Sequence, residues 1–446
     1  MRMQTVETLY EARWIIPVEP AGAVLDEHTL VVAGDRIVSL LPRAEARARH
    51  PAAERVDLGR HALLPGFVNA HTHAAMTLLR GRGPDQPLHD WLRRSIWPAE
   101  QALVGPEFVR DGSRLAAAEM IRSGTTCFAD QYFFAHDTAL VCEDAGLRAV
   151  LGMVVVDFPT AYASDADEYL QRGLELHDAW RGHPLIGTAF APHAPYTVDD
   201  AALARVLKYA HELDVPIHMH VHETAAEVAD AVARTGERPL ARLARLGLLS
   251  PSFAAVHMTQ VDDADLAALQ RTGAGVIHCA QSNLKLASGF CPVARLVAAG
   301  VPVALGTDGA ASNDDLDLLD ELRTAALLAK GVAGDATVLP VHEALRLATL
   351  AGALALGLGA ETGSLVPGKA ADFIAVDLDD PATRPVTDPT AAVVYAAARD
   401  QVTHAWVAGR ALMHERALLT LDAHAACARA ERWLDRADAL AREAVA

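Results

Sequence analysis

Short apolar runs alternate with longer stretches of helical periodicity through the middle of the chain. Leu64–Ala70, Thr126–Ala129, Val150–Val155, Ile186–Phe190, Pro216–His220, Phe253–His257, Gly275–His278 and Val301–Thr307 each read as a strand. Segments between them, such as Leu203–Leu213 and Leu240–Leu246, repeat apolar residues at the spacing of a helix face. Eight strand candidates, each followed by helix, predict an α/β fold: a closed parallel (β/α)8 barrel of the TIM type. The texture differs at both ends. Leu30–Ala33 and Arg36–Leu40 flank Gly34-Asp35, a hairpin signal. After about residue 360, Gly363–Leu365, Lys369–Asp377 and Thr403–Arg410 again read as β. These runs are expected to pair with the amino-terminal strands in one small β-sandwich. The expected division is 1–60 for its first part, 61–362 for the barrel, and 363–446 for its second part with a terminal helix. That helix, Ala423–Ala444, is rich in Ala, Arg and Glu and reads as a solvated face.

Size agrees with this reading, since 446 residues accommodate a barrel of about 250 residues and a smaller unit. The formal charge of −18 argues against nucleic acid or an anionic membrane as partner. No phosphate loop of the GxxxxGK type occurs. Five cysteines, odd in number and widely spaced without a CxxC, fit reduced thiols in a cytoplasm. The stretch Met1–Glu7 lacks the apolar core of a signal peptide, and no run of about 18 apolar residues suggests a membrane span. A cytoplasmic enzyme is the expectation.

The candidate chemistry starts at Asn69-Ala70-His71-Thr72-His73. Histidines at i and i+2 on an extended segment face the same side. Imidazole nitrogen suits zinc and other first-row divalent ions. A lone His-x-His is weak evidence, but further polar residues fall at the carboxyl ends of other strand candidates. These are His193, His220, Glu223, His257 and Asp308. Barrel enzymes build their sites on that rim. His71, His73, His220 and Asp308 offer three nitrogens and a carboxylate, a set that holds a zinc-like ion and leaves a position for water. Glu223 is placed to act as general acid. Asp308 is placed to take a proton from the attacking water, and His257 to hold that water or a developing alkoxide. Within His218-Met219-His220-Val221-His222-Glu223 the alternation puts all three histidines on one side, so spacing does not choose the ligand among them. The fourth strand ends in His193, not in a lysine able to form a metal-bridging carbamate, which favours one ion. Zinc heads the list, with Fe2+ or Mn2+ suited to the same donors. The His-x-Glu…Pro-Cys-x-x-Cys signature of the small zinc deaminases is missing.

Together these residues resemble the amidohydrolase superfamily, in its mononuclear-metal deaminase branch, along essentially the whole chain. The resemblance lies in Leu64-Pro65-Gly66-Phe67-Val68-Asn69-Ala70-His71-Thr72-His73, Trp91-Leu92, Trp97-Pro98-Ala99-Glu100 and Pro192-His193-Ala194-Pro195-Tyr196. It continues in His220-Val221-His222-Glu223, Ser282-Asn283-Leu284-Lys285-Leu286 and Thr307-Asp308-Gly309-Ala310-Ala311-Ser312-Asn313. The resemblance implies His71, His73, His220 and Asp308 as ligands of one divalent ion, choosing His220 over His222. It also implies Glu223 as proton shuttle meeting a purine ring and His257 as the water-polarising histidine. Glu100, His193 and Trp91 are implied in substrate binding, Glu100 suiting paired ribose hydroxyls because a carboxylate accepts two hydrogen bonds.

The implied reaction is hydrolytic deamination of an adenosine-type nucleoside, with 5′-methylthioadenosine and S-adenosylhomocysteine foremost, by a homo-oligomer. Alternatives within the superfamily are deamination of guanine or an oxidised purine, and displacement of amine or chloride from a triazine. A non-catalytic scaffold is the alternative of another class. One departure stands out: similar proteins carry an arginine shortly after the segment matching Leu147–Val150, where this chain runs Leu151-Gly152-Met153. A second arginine in the following loop has no clear match. The implied consequence is altered handling of the amino-acid tail of S-adenosylhomocysteine, or a preference for methylthioadenosine or adenosine.

Overall fold

The computed structural model describes residues 7–443. Its centre is an eight-stranded parallel sheet in chain order: β1 (Phe67–Thr72), β2 (Thr125–Asp130), β3 (Arg148–Val155), β4 (Ile186–Pro192), β5 (Ile217–Val221), β6 (Phe253–His257), β7 (Gly275–His278) and β8 (Val303–Leu305). Nearly every residue of these strands is buried, which explains why they read as unbroken apolar runs rather than alternating ones. The sheet curls until β8 meets β1. Asp308 N–H donates to the His71 carbonyl at 3.0 Å. A Cβ on Gly306 would lie 2.7 Å from His71 Cβ and 2.8 Å from its backbone nitrogen, so only glycine fits at this seam. The closure therefore brings Asp308 beside the histidines of β1.

Both ends of the chain contribute to the remaining sheets. A four-stranded sheet is made of Glu7–Glu11, His28–Ala33, Arg36–Pro42 and Glu54–Asp57. A seven-stranded sheet joins Trp14–Ile15, Leu25–Asp26 and His61–Pro65 to Phe373–Asp377, Val402–Val407, Arg410–His414 and Ala417–Leu418. Phe373–Asp377 pairs antiparallel with His61–Pro65, which runs through Gly66 straight into β1. Tyr10 of the smaller sheet meets Phe373 at 4.9 Å and Trp406 at 5.1 Å, and Phe373 stacks on Trp406 at 4.5 Å. Gly363–Leu365 forms no strand, contrary to expectation. Its backbone turns at Gly363, φ +87°, and Leu365 N–H donates singly to Pro17 O.

One buried ion pair ties these sheets to the barrel. Arg148 at the start of β3 donates from Nε to Asp372 Oδ2 at 2.8 Å, and Asp372 Oδ1 also accepts from Ala408 N–H at 2.7 Å. Breaking a buried pair by removing one partner strands the other charge. Arg148→Ala is therefore expected to lower unfolding stability by about 3–5 kcal/mol, measured as a shift in the denaturation midpoint.

The terminal helix, Ala423–Glu443, is not only a solvated face. Trp433 is buried with its ring 5.2 Å from Phe108, and its indole N–H donates to Asp111 Oδ2 at 3.0 Å. Ala426, Trp433 and Ala437 are buried at helical spacing, but the alanines among them do not stand out from exposed Ala425 and Ala428, so the sequence pattern conceals this docking. Ala444 and the stretch Met1–Val6 lie outside the described residues. Among the described residues no helix is long and apolar enough to cross a membrane.

Candidate active site

The carboxyl ends of the strands open into a cavity of about 670 Å3. His71 sits fully buried on β1, and His73, the next residue past the strand, lines the cavity. Asp130 at the end of β2 fixes that turn, since its Oδ1 accepts from Ala74 N–H at 2.7 Å and from the Thr72 hydroxyl at 3.2 Å. His220 comes from β5, and Asp308 from the turn after β8. One donor atom from each of His71, His73, His220 and Asp308 lies within 4.8 Å of every other. Asp308 Oδ1 is 3.3 Å from His71 Nε2 and 3.1 Å from His73 Nε2, and the Nε2 atoms of His71 and His220 are 3.2 Å apart.

The outward sides of these rings show why a cation fits. His73 Nδ1 lies 2.7 Å from Gln131 O and His220 Nδ1 lies 2.9 Å from His193 O. Carbonyls only accept, so each Nδ1 carries a hydrogen and each Nε2 faces the common point. Burial pushes His71 down to about 4 and His220 well below the ordinary range, which keeps both neutral. Burial also acts downward on His73, but the hydrogen bond and charge of Asp308 outweigh it and hold that ring up near 9. Asp308 is itself held well below the usual carboxylate range: burial opposes this, and the two histidines overcome it. Either the proton that Asp308 holds on His73 or a bound cation offsets the charge of Asp308, and three imidazole nitrogens with one carboxylate are a donor set suited to a divalent ion.

The other two histidines of the β5 run have different tasks. His218 Nε2 sits 2.6 Å from His71 Nδ1, behind the donor cluster. His222 lies past the end of β5 at φ +52°, and both its ring nitrogens are engaged: Nδ1 with Gln260 O at 3.0 Å, Nε2 with Leu240 N–H at 3.1 Å. Glu223 follows it into the cavity. Burial, reinforced by the charge of Asp308, pushes its carboxyl up to about 8, so it carries a proton at neutral pH. His257, at the end of β6, places Nε2 at 3.8 Å from Glu223 Oε2. Its Nδ1 lies 2.9 Å from Asn283 Oδ1, which leaves Nε2 as the accepting nitrogen. His257 and Asp308 both have left-handed backbone, φ +75° and +65°, a cost that clusters where surrounding structure enforces a functional geometry.

Glu100, His193 and Trp91 line the same cavity. Trp91 offers only its ring, because its N–H donates to Arg82 O at 3.0 Å. Several further polar partners, assigned no role from the sequence, complete the site. Tyr132 donates to Glu100 Oε1 at 2.7 Å, and Ser282 and Ser312 donate to Asp308 Oδ2 at 2.7 and 2.8 Å. The two serines hold Asp308 so that Oδ1 faces the histidines. Tyr132 lies two residues past β2, on the same rim as the others; that position is the signal that would have found it.

Met153 corrects an expectation. It lies on the outer side of β3, where a Cβ on Gly173 of the helix Ala166–Trp180 would come within 2.8 Å of its own Cβ. Strand alternation gives the cavity Val154 instead, with Val156 beyond it. The residue standing where the arginine was expected thus does not face substrate space. Among the described residues no arginine or lysine lines the cavity.

Comparison with known proteins agrees with this geometry. The model of the Amidohydrolase family matches residues 62–412. A 5-methylthioadenosine/S-adenosylhomocysteine deaminase of Teredinibacter turnerae is 49% identical over 97% of this chain and 98% of its own length. A protein of the same name from Saccharophagus degradans is 46% identical over 96% of each. A crystal structure of an adenosine deaminase from Xanthomonas campestris with bound zinc superposes with a TM-score of 0.95 at 52% identity, covering 97% of this chain and 99% of that one. An atrazine chlorohydrolase from Arthrobacter aurescens, 22% identical at a TM-score of 0.87 over 96% of this chain and 99% of its own, shares the fold. A family match spanning the whole barrel, and relatives nearly half identical from end to end, admit one assignment: this chain belongs to the amidohydrolase family.

Proposed function

We propose that the protein is a metal-dependent aminohydrolase of adenosine-type nucleosides, acting on 5′-methylthioadenosine and related 5′-substituted adenosines to give the inosine derivative and ammonia. The observation that carries this reading is the convergence of three histidine nitrogens and the Asp308 carboxylate in the cavity that Glu223 also lines. His71, His73, His220 and Asp308 would hold one divalent ion, zinc by preference. When bound, such an ion supplies the Lewis acidity that makes water nucleophilic near neutral pH.

The side chains then divide the remaining work. Glu223 donates its proton to N1 of the purine, drawing electron density from C6 as water adds there. Asp308 Oδ1 takes a proton from the attacking water and passes it to the departing amino group. His257, with Nε2 free to accept, orients that water. One water proton leaves with ammonia; the other, on the C6 hydroxyl, returns to Glu223 as the carbonyl forms and replaces the proton given to N1, so the atoms balance. Glu100, held by the Tyr132 hydroxyl, keeps an oxygen for the ribose diol. His193 and Trp91 wall the pocket.

The deciding assay measures ammonia release from methylthioadenosine, S-adenosylhomocysteine, adenosine and guanine, and chloride release from a chlorotriazine. Turnover of an adenosine derivative is expected. Release only from guanine or the triazine would overturn the reading. The cavity wall also ranks the nucleosides. Glu100, Glu223 and Asp308 are acidic, and no lysine or arginine among the described residues faces them. The carboxylate of an amino-acid tail would find no lysine or arginine in the cavity wall among the described residues. Methylthioadenosine is therefore expected to exceed S-adenosylhomocysteine in kcat/KM by about tenfold or more, equivalent to about 1.4 kcal/mol.

A further inference from the structure

We propose that Glu227, which stands outside the cavity lining, is a positioning residue that holds Glu223 in place for proton transfer. Its side chain folds back from the first turn of the helix Ala225–Thr235. Oε1 accepts from His222 N–H at 3.1 Å and Oε2 from Glu223 N–H at 2.7 Å. From the opposite side Thr259 grips the same two residues. Its hydroxyl lies 2.7 Å from Glu223 O, and its N–H donates to His222 O at 3.0 Å. The backbone of Glu223 is thus held at both its N–H and its carbonyl. This happens at the point where His222, at φ +52°, turns the chain off β5 and over the cavity.

Ordinary helix capping accounts for only part of this. Thr224 is the N-cap and accepts from Glu227 N–H at 3.2 Å. In a capping box the glutamate would return its carboxylate to the N–H of Thr224 itself. Here the carboxylate reaches past it to the two preceding residues, one of them the general acid. Glu227 is also buried, and the charged groups beside it are Glu223 and His257, with no lysine or arginine among them. Burying a carboxylate without a cation is costly, and a glutamine would cap a helix without that cost. Only a carboxylate, however, accepts both N–H groups, because a glutamine has one acceptor oxygen and turns an NH2 toward the other donor.

The inference rests on Glu223 being the proton donor, so the test compares Glu227→Gln in the wild type and in Glu223→Gln. In the wild type, Glu227→Gln is expected to lower kcat by about tenfold, with KM and metal content nearly unchanged. In the Glu223→Gln background the same substitution is expected to change the residual rate by less than about twofold, because residues that act as a unit are not additive. An unchanged kcat in the wild type would overturn the inference. So would an equal loss in both backgrounds, which would mark Glu227 as a general structural element. If Glu227→Gln does not fold, Thr259→Val, which removes the hydroxyl from the carbonyl side, is read by the same comparison with the same outcomes. Full activity of Glu223→Gln alone is a separate result, and would remove the parent reading instead.

Discussion

Glu223→Gln is expected to lower turnover of methylthioadenosine by about a hundredfold or more, the usual worth of a positioned proton donor. Glutamine keeps the size of the side chain and can still hydrogen-bond, but it has no proton to give to N1. The metal should stay, because the carboxyl of Glu223 is not among the four converging donors. Burial and the Asp308 charge push Glu223 up to about 8. Its useful form is the protonated one, present below that value and lost above it. Wild-type kcat should therefore decline as pH rises through the Glu223 titration, and the residual rate of the variant should lack that alkaline limb. A variant that kept its metal and its rate would show that another group delivers the proton.

Much of this arrangement was legible before any coordinates, for identifiable reasons. Strands buried on both faces must be apolar throughout, so β3 and β6 announce themselves as runs such as Val150–Val155 and Phe253–His257. A barrel places its chemistry at strand ends, so His193, His257 and Asp308 stood out by position alone. What stayed hidden depends on distances between elements. Ser282 and Ser312 reach Asp308 from two short helices, Ala280–Lys285 and Ala310–Asn313, and no local period encodes that meeting. The position expected to hold a tail-binding arginine is that of Met153, and strand alternation turns that residue away from the cavity. Trp433 shares its buried helix face only with small residues such as Ala426 and Ala437, so nothing local marks the side that packs on Phe108.

The histidines of β5 pose the sharpest case, because alternation treats residues 218, 220 and 222 alike while the structure gives them three separate tasks. His220→Ala is expected to lose the bound metal, and with it essentially all turnover, since it removes one of the converging nitrogens. His218→Ala removes only the partner of His71 Nδ1, 2.6 Å away. It should weaken metal affinity by about 10–100-fold, as loss of an outer hydrogen bond to a ligand does. That protein would be restored at saturating metal. His222→Ala leaves Leu240 N–H and Gln260 O without their ring partners, so it should cost about 1–3 kcal/mol of stability while the metal stays bound. Elemental analysis after chelator challenge, paired with thermal denaturation, separates the three. A metal-free His222→Ala beside a metal-replete His220→Ala would invert the assignment. Strand length is what makes this order expected. β5 ends at Val221, so His220 is the last histidine the sheet itself can aim at the barrel axis, and the turn that follows spends its geometry on Glu223.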